Sequence, residues 1–392
     1  MRIAGIFSGI GGFELGLSAA NHEAVLLCEI WAPARAVLTA RFPTTELTDD
    51  VTALPGLPSE TDAIVAGFPC QDLSQAGLTA GIDGKRSSLV GHVFRLLDQR
   101  RVPWVVLENV SFMLHLERGR ALGTLVGALE ERGYRWAYRV VSSRSFLPQR
   151  RERVVLVATT TEVDPATILF ADDVVPPKLD TSLSTHGHGF YWTEGIRGLG
   201  WAPDGFPTLK NGSTVGIPSP PALMLPDGSV IVPDIRDAER LQGFSAGWTA
   251  PAEGVARSSL RWSLIGNAVT VPVAAWLGGR LATPGEFDRS RDRSLARDVR
   301  WPKAARFDGR ERMAVEIGMY PVWSDRPSIV EFLDYPGKAL SARATRGFLS
   351  RTERSSLRFQ PGFKERLRAH LDKMESESSP TTQKSPLPVA AE

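Results

Sequence analysis

Cysteine is nearly absent. Cys28 and Cys70 are the two thiols in 392 residues. Two thiols supply neither a disulfide framework nor a cysteine zinc cluster, and they fit a reducing cytosol. Histidine is sparse as well: His186 and His188 lie close together, but no further Cys or His supports them, so no metal is expected. No apolar run approaches the roughly 18 residues of a membrane span, so a membrane partner is not expected. The opening MRIAGIFSGIGG runs from a short apolar stretch straight into a glycine turn. It reads as a first strand, not a signal peptide. A Gly-Lys-Ser/Thr loop is missing, which excludes the usual triphosphate cradle. What is present is the composition of an ordinary globular protein, 42% hydrophobic and 23% charged, long enough for two or three domains.

Charge is unevenly spread. The net charge is +2, yet residues 336–373 hold ten Lys/Arg against three Asp/Glu. That excess suggests a phosphate-facing surface around Arg343, Arg346, Arg351, Arg354 and Arg358, or else a solvated helical face. Residues 374–392, rich in Ser, Pro and Thr, read as a disordered tail.

The chain is organised around residues 66–77, AGFPCQDLSQAG. The apolar run 63–68 predicts a buried strand that must stop at Pro69, because proline cannot donate a ladder hydrogen bond. Cys70 then sits at a strand's C-terminal end, the edge of an open α/β sheet where ligands bind. A nucleophile and a small core thiol are both open readings there. A glycine-rich loop carrying Lys85 and Arg86 follows, suited to closing over a substrate and holding phosphate.

Upstream, residues 2–7 predict a strand, Ser8-Gly9-Ile10-Gly11-Gly12 a tight turn, and 13–20 a helix. Glycines let backbone approach a ligand, and the helix start offers unpaired N–H groups. The next strand, 24–28, ends in Glu29, at the spacing that lets an acid accept ribose hydroxyls. Asp50 is placed to accept from an adenine amino group. A nucleoside pocket without a phosphate cradle points to S-adenosylmethionine, with Phe7 stacking on adenine or filling the core. A strand at 103–107 brings Glu108 and Asn109 to the same sheet edge. Residues 134–142 and 153–158 predict an antiparallel pair. Between them Gln149, Arg151 and Arg153 alternate onto one face, suiting phosphate or base-edge contacts.

FSGIGG at 7–12, GFPCQ at 67–71, ENV at 108–110, QRRER at 149–153, ERLQGF at 239–244 and GNAV at 266–269 occur in one order. Together they resemble the DNA (cytosine-5)-methyltransferase family, of the bacterial type, across about residues 1–280. The resemblance implies an α/β, Rossmann-like S-adenosylmethionine-dependent methyltransferase domain with a smaller target-recognition domain and a C-terminal extension. It places a catalytic domain at 1–158, a recognition region at 159–235, a return segment at 236–283 and an extension of unassigned role at 284–373. Cys70 is implied as the nucleophile on cytosine C6, and Glu108 as the acid holding N3 and the exocyclic amine. Arg151 and Arg153 would position the flipped ring and the thiol. The cofactor pocket would comprise Phe7, Ser8, Gly9, Ile10, Gly11, Gly12, Glu29, Ile30, Asp50, Val51, Pro69, Leu89, Asn267 and Ala268. DNA contacts are expected from Gln71, Ser74, Lys85, Arg86, Gln149 and Gln242. Asp72 and Leu73 depart from the commoner Pro and Phe after the nucleophile. The expected reaction is methylation of C5 of cytosine in double-stranded DNA by a cytoplasmic, nucleoid-associated monomer, with a cognate restriction endonuclease left open. A tRNA-methylating enzyme and a non-catalytic DNA-binding relative are the alternatives; the tRNA enzyme's Cys-Phe-Thr signature is not found here.

Overall fold

The computed structural model describes residues 1–68, 89–212, 220–295 and 300–378. Its central strands are apolar on both faces and must therefore be covered on both. They are β1 (Arg2–Ile6), β2 (Glu23–Cys28), β4 (Ala63–Gly67) and β5 (Trp104–Val110), and the short polar strand β3 (Glu46–Thr48) forms the edge beside β2. All five run parallel, in the order β3-β2-β1-β4-β5. Antiparallel strands continue the sheet: β6 (Arg135–Ser142) and β8 (Glu152–Thr159), with the two-residue β7 (Gln149–Arg150) between them in sequence.

Successive residues of a strand face opposite sides. Ile64, Ala66, Val105 and Leu107 join one core, and Ala63, Val65, Trp104 and Val106 the other. Helices α1 (Gly12–Ser18), α2 (Ala32–Arg41), α3 (Leu89–Gln99) and α4 (Arg120–Glu131) connect these strands. Val90, Val93, Leu96 and Leu97 make the buried stripe of α3, the helical spacing of an apolar face. α3 and α4 cover the first core. α1 covers the second together with a helix from far along the chain.

That helix belongs to the return segment, which holds α5 (Ile235–Arg240), α6 (Arg261–Asn267) and α7 (Val271–Ala282). A Cβ at Gly16 of α1 would overlap Ala274 and the Val271 carbonyl, and one at Gly12 would overlap the Val269 carbonyl. Glycine at both positions lets α7 lie directly on α1. The segment expected to rejoin the first domain does so through this contact.

A second, antiparallel sheet contains β9 (His188–Phe190), β10 (Ala202–Pro203), β12 (Ala222–Met224) and β13 (Val230–Val232). β11 (Phe206–Pro207) pairs with β7 in a separate two-stranded ladder, β7 lying in the chain between β6 and β8 and β11 between β10 and β12. His188 is buried, with its ring nitrogens 2.8 and 3.1 Å from the carbonyl oxygens of His186 and Thr181. Among the described residues, no group of three or more His, Cys, Asp or Glu is placed to hold a metal.

The extension at 284–373 does not form a separate unit. β14 (Asp292–Ser294), β15 (Ala304–Phe307) and β16 (Arg312–Val315) lengthen the large sheet, β15 pairing with β6. β17 (Lys338–Ala339) pairs with β13 in the small sheet. Beside it, α8 (Ala342–Glu353) and α9 (Phe363–Ser378) pack Phe348, Leu349, Phe363 and Leu367 against Phe190 and Met224. Trp301 and Phe307 of this stretch pack against the first core, Phe332 packs with Ala238 and Leu241, and Phe359 joins the core beside the small sheet. The tail expectation also shifts: α9 runs through Ser378, because Phe363 and Leu367 anchor it, so 374–378 is helical rather than disordered. No helix among the described residues is long and apolar enough to cross a membrane.

Candidate active site

The parallel strands bring their C-terminal ends to one edge. Phe7 follows β1, Glu29 follows β2 and Phe68 follows β4. Glu108 lies inside β5, in register with Gly67. The strand was expected to end at 107. It runs on to Val110 because β8 keeps pairing with it through Arg153. Cys70 and Pro69 lie outside the described residues, as do Gln71, Ser74, Lys85 and Arg86.

The first loop is bent by backbone of left-handed φ at Phe7 (59°), Gly9 (57°) and Gly11 (85°). Such angles suit glycine and hold phenylalanine under strain. The turn brings the Gly9 N–H within 2.8 Å of Glu29, and the Trp31 N–H reaches the other carboxylate oxygen at 2.8 Å. Burial raises the Glu29 carboxyl above its ordinary range, and these two donors oppose the shift. Asp50 caps Thr52 at 2.8 Å, and that turn keeps its carboxyl low.

These groups line a cleft of about 790 Å³. Of the expected cofactor residues, Phe7, Gly9, Ile10, Glu29, Ile30, Asp50, Val51, Leu89 and Asn267 line it. Ser8, Gly11, Gly12 and Ala268 lie next to these lining residues in the chain. A Cβ at Gly11 would overlap the Phe42 ring, Gly12 touches Val269, and the buried Ala268 offers its carbonyl to Arg151. Trp31, Asp49 and Phe68 also line the cleft, as do Tyr191, Leu209 and Lys210 from the recognition region. Nothing in the spacing of those residues marked them. Cys28 lines the cleft too, 2% exposed. Burial pushes its thiol up, and Glu29, Asp50 and Asp49 push the same way. A thiol held protonated in this manner is a poor nucleophile.

Deeper in the cleft, the Arg153 Nε lies 3.0 Å from the Glu108 Oε1. The two are diagonal cross-strand neighbours on one face, as β5 and β8 pair Glu108 with Val155. Glu108 is 8% exposed. Burial raises its carboxyl, while Arg153 and then Arg151 pull it back. Such a carboxyl is poised to gain or lose a proton when a ligand changes its surroundings. Beside it the buried Asn109 donates to the Phe68 carbonyl at 2.8 Å, fixing β4 to β5 two residues before Cys70.

The alternating polar ladder is not a surface feature. Arg151 is 1% exposed and donates to the carbonyls of Leu209 at 3.1 Å, Gly266 at 3.2 Å and Ala268 at 2.7 Å. It ties recognition and return segments to the catalytic sheet, and it also lines the cleft. The DNA-contact assignment of Gln149 and Gln242 is corrected. Both are fully buried, 3.3 Å apart. Gln149 donates to the Leu241 carbonyl at 2.6 Å, and Gln242 to the Ile265 carbonyl at 3.0 Å. Side chains spent in the interior cannot read a base edge.

Glu14 was not anticipated. It sits on α1 beneath the glycine turn, 2% exposed, in space that only glycine at position 5 leaves open. Burial pushes its carboxyl up to about 7, against its own backbone N–H and the Ser8 hydroxyl. The unfolded chain releases this proton near pH 4.5 and the folded chain near 7, so stability falls as pH rises between those values. The loss is on the order of 3 kcal/mol above pH 7. Glu14→Gln is therefore expected to raise the urea midpoint at pH 8 and leave it nearly unchanged at pH 4.5. Equal shifts at both pH values would contradict the assignment.

Comparison with known proteins agrees with this geometry. Residues 1–186 match the family described as C-5 cytosine-specific DNA methylase. The chain is 44% identical over 367 residues to the type II methyltransferase M2.BsuMI of Bacillus subtilis (strain 168), covering 90% of this chain and 94% of that protein. It is 34% identical over 164 residues to the type II methyltransferase M.BanI of Aneurinibacillus aneurinilyticus, covering 40% and 38% respectively. The fold resembles the crystal structure of S. pombe Dnmt2 methyltransferase, with a TM-score of 0.53 and 16% identity, over 72% of this chain and 98% of that one. With one relative aligned along nearly its whole length and the family's own match covering the cleft-forming strands, this chain belongs to the C-5 cytosine-specific DNA methylase family.

Proposed function

We propose that this protein transfers a methyl group from S-adenosylmethionine to C5 of a cytosine flipped out of duplex DNA, through a bond between the Cys70 sulfur and cytosine C6. The observation that carries this reading is the Glu108–Arg153 pair, held over the same cleft as Glu29 in a chain of this family. The residues present fit the donor. Glu29 offers carboxylate oxygens at the sheet edge for ribose hydroxyls. Asp50 suits an amino group, and Phe7, Ile30 and Val51 supply apolar walls. When bound, S-adenosylmethionine supplies an electrophilic methyl on a sulfonium.

The protein's part is to make C5 nucleophilic. A target base stacked in a duplex is out of reach, so extrusion comes first, at a cost of a few kcal/mol. The Cys70 thiolate then bonds to C6, and charge develops toward N3. Glu108 carries a proton there and accepts from the exocyclic amine. Arg153 holds Glu108 in place and offsets charge on it. Once C5 bears the methyl, its proton leaves and the sulfur departs from C6, which restores the aromatic ring.

The test is transfer of labelled methyl from S-adenosylmethionine to duplex DNA and, separately, to tRNA. Bisulfite sequencing of a plasmid from expressing cells then maps the product. Transfer to DNA with protected cytosines is expected. Transfer to tRNA alone would overturn the reading. The type II names of the relatives suggest a restriction–modification setting, in which a cognate endonuclease would cut the same site unmethylated.

A further inference from the structure

A second cleft, of about 430 Å³, opens where three stretches meet. Arg150 comes from β7, Gly200 and Trp201 from the recognition region, and Arg358, Phe359 and Gln360 from the link between α8 and α9. Both arginines are exposed. The described residues that line this cleft include two guanidinium groups and no carboxylate. The Trp201 carbonyl accepts from Arg150 at 3.1 Å and orients it. Two other cations of the same basic segment are occupied by the protein itself. Arg351 donates to the carbonyls of Trp192 at 2.7 Å and Glu194 at 2.9 Å, and Arg346 pairs with Glu375. Arg343 and Arg354 are exposed, and Arg358 of the same segment shares the second cleft with Arg150.

That place adjoins the first cleft. Arg150 precedes Arg151, which lines the first cleft, and Gly200 lies on the ring of Tyr191, which lines it too. One aromatic ring thus stands between the two. Guanidinium groups gathered without a counter-charge attract an anion, and a planar fork matches phosphate oxygens. Trp201 and Phe359 add aromatic surface against which a sugar can rest.

Building on the DNA-methylation reading, we propose that this second cleft binds a backbone phosphodiester of the DNA strand beside the target cytosine, with Arg150 and Arg358 as its phosphate ligands. Such contacts position the duplex without reading its sequence. The residues after 283 would then take part in holding substrate.

The test is equilibrium binding of the full-length protein to a duplex that it methylates, titrated with salt. Each lost phosphate contact lowers the slope of log affinity against log salt by about 0.9. At 0.15 M salt that corresponds to about a fivefold weaker complex per arginine. Arg150→Ala and Arg358→Ala should each show this change, and the double variant twice the change in slope. Arg150→Lys with Arg358→Lys should restore most of the slope, which separates lost charge from misfolding. Arg310→Ala, exposed in the turn between β15 and β16, should leave it unchanged. An unaltered slope in the double alanine variant, with the wild type still methylating that duplex, overturns this inference alone. If the wild type transfers no methyl to DNA, the underlying functional reading fails instead.

Discussion

Cys70→Ser will abolish methyl transfer, by about 10⁴-fold or more, as loss of a sole nucleophile does. A cysteine keeps a few per cent thiolate at neutral pH, whereas a serine hydroxyl without a dedicated base keeps essentially no alkoxide. The variant should still bind DNA, because replacing the sulfur by oxygen removes no cation that could meet a phosphate. DNA carrying 5-fluorocytosine gives the sharpest readout. Fluorine at C5 cannot leave as a proton, so elimination stalls and the sulfur stays bonded to C6. The wild type should form a complex that survives denaturing electrophoresis, and Cys70→Ser should form none. Cys28→Ser should still form it, since the Cys28 thiol is buried among acids that keep it protonated. An adduct that persists in Cys70→Ser would assign the chemistry to another group.

Glu108→Gln will lower turnover by about 10²- to 10⁴-fold, the usual worth of a general acid, while extruded-base binding is largely kept. A glutamine amide can still donate toward N3 and accept from the exocyclic amine, but it has no proton to give up. The pH profile should separate the roles. In the proposed reaction Glu108 acts in its protonated form, and burial raises the pH at which it loses its proton. The wild-type rate should therefore fall on the alkaline side as that proton is lost. The Gln variant should lack this descending limb. On the acid side, both proteins should lose rate together as Cys70 becomes fully protonated. Turnover within threefold of wild type would show that Glu108 only shapes the pocket.

Much of the first domain is legible in the order of its residues. Strand runs such as AIVAG and WVVL are apolar on both faces, and Pro69 marks where one must stop. Their common edge then places Phe7, Glu29 and Glu108 together. The recognition region is harder to read because its strands have two or three residues each, too short for alternation to show. Gln149 and Gln242 mislead for a physical reason. Polar side chains at a strand start and a helix end usually face water, but these two satisfy each other and nearby carbonyls in the interior. The fate of residues 284–378 is not written in composition. Pairing of β15 with β6 and of β17 with β13 joins segments more than a hundred residues apart. Glu14 is hidden as well, since its burial depends on the missing side chain at Gly5.

The contact of α7 on α1 has a bearing on the order in which the protein becomes competent. A ribosome releases the N-terminal sheet long before it releases residues 271–282, and until then one side of α1 has nothing to lie against. The nascent chain therefore holds Glu29 and Glu108 before the return segment that closes the cleft with Asn267 has emerged. The same division suggests a way to control the enzyme in a cell: two polypeptides cut near residue 250, each inert, would regain activity only where they meet.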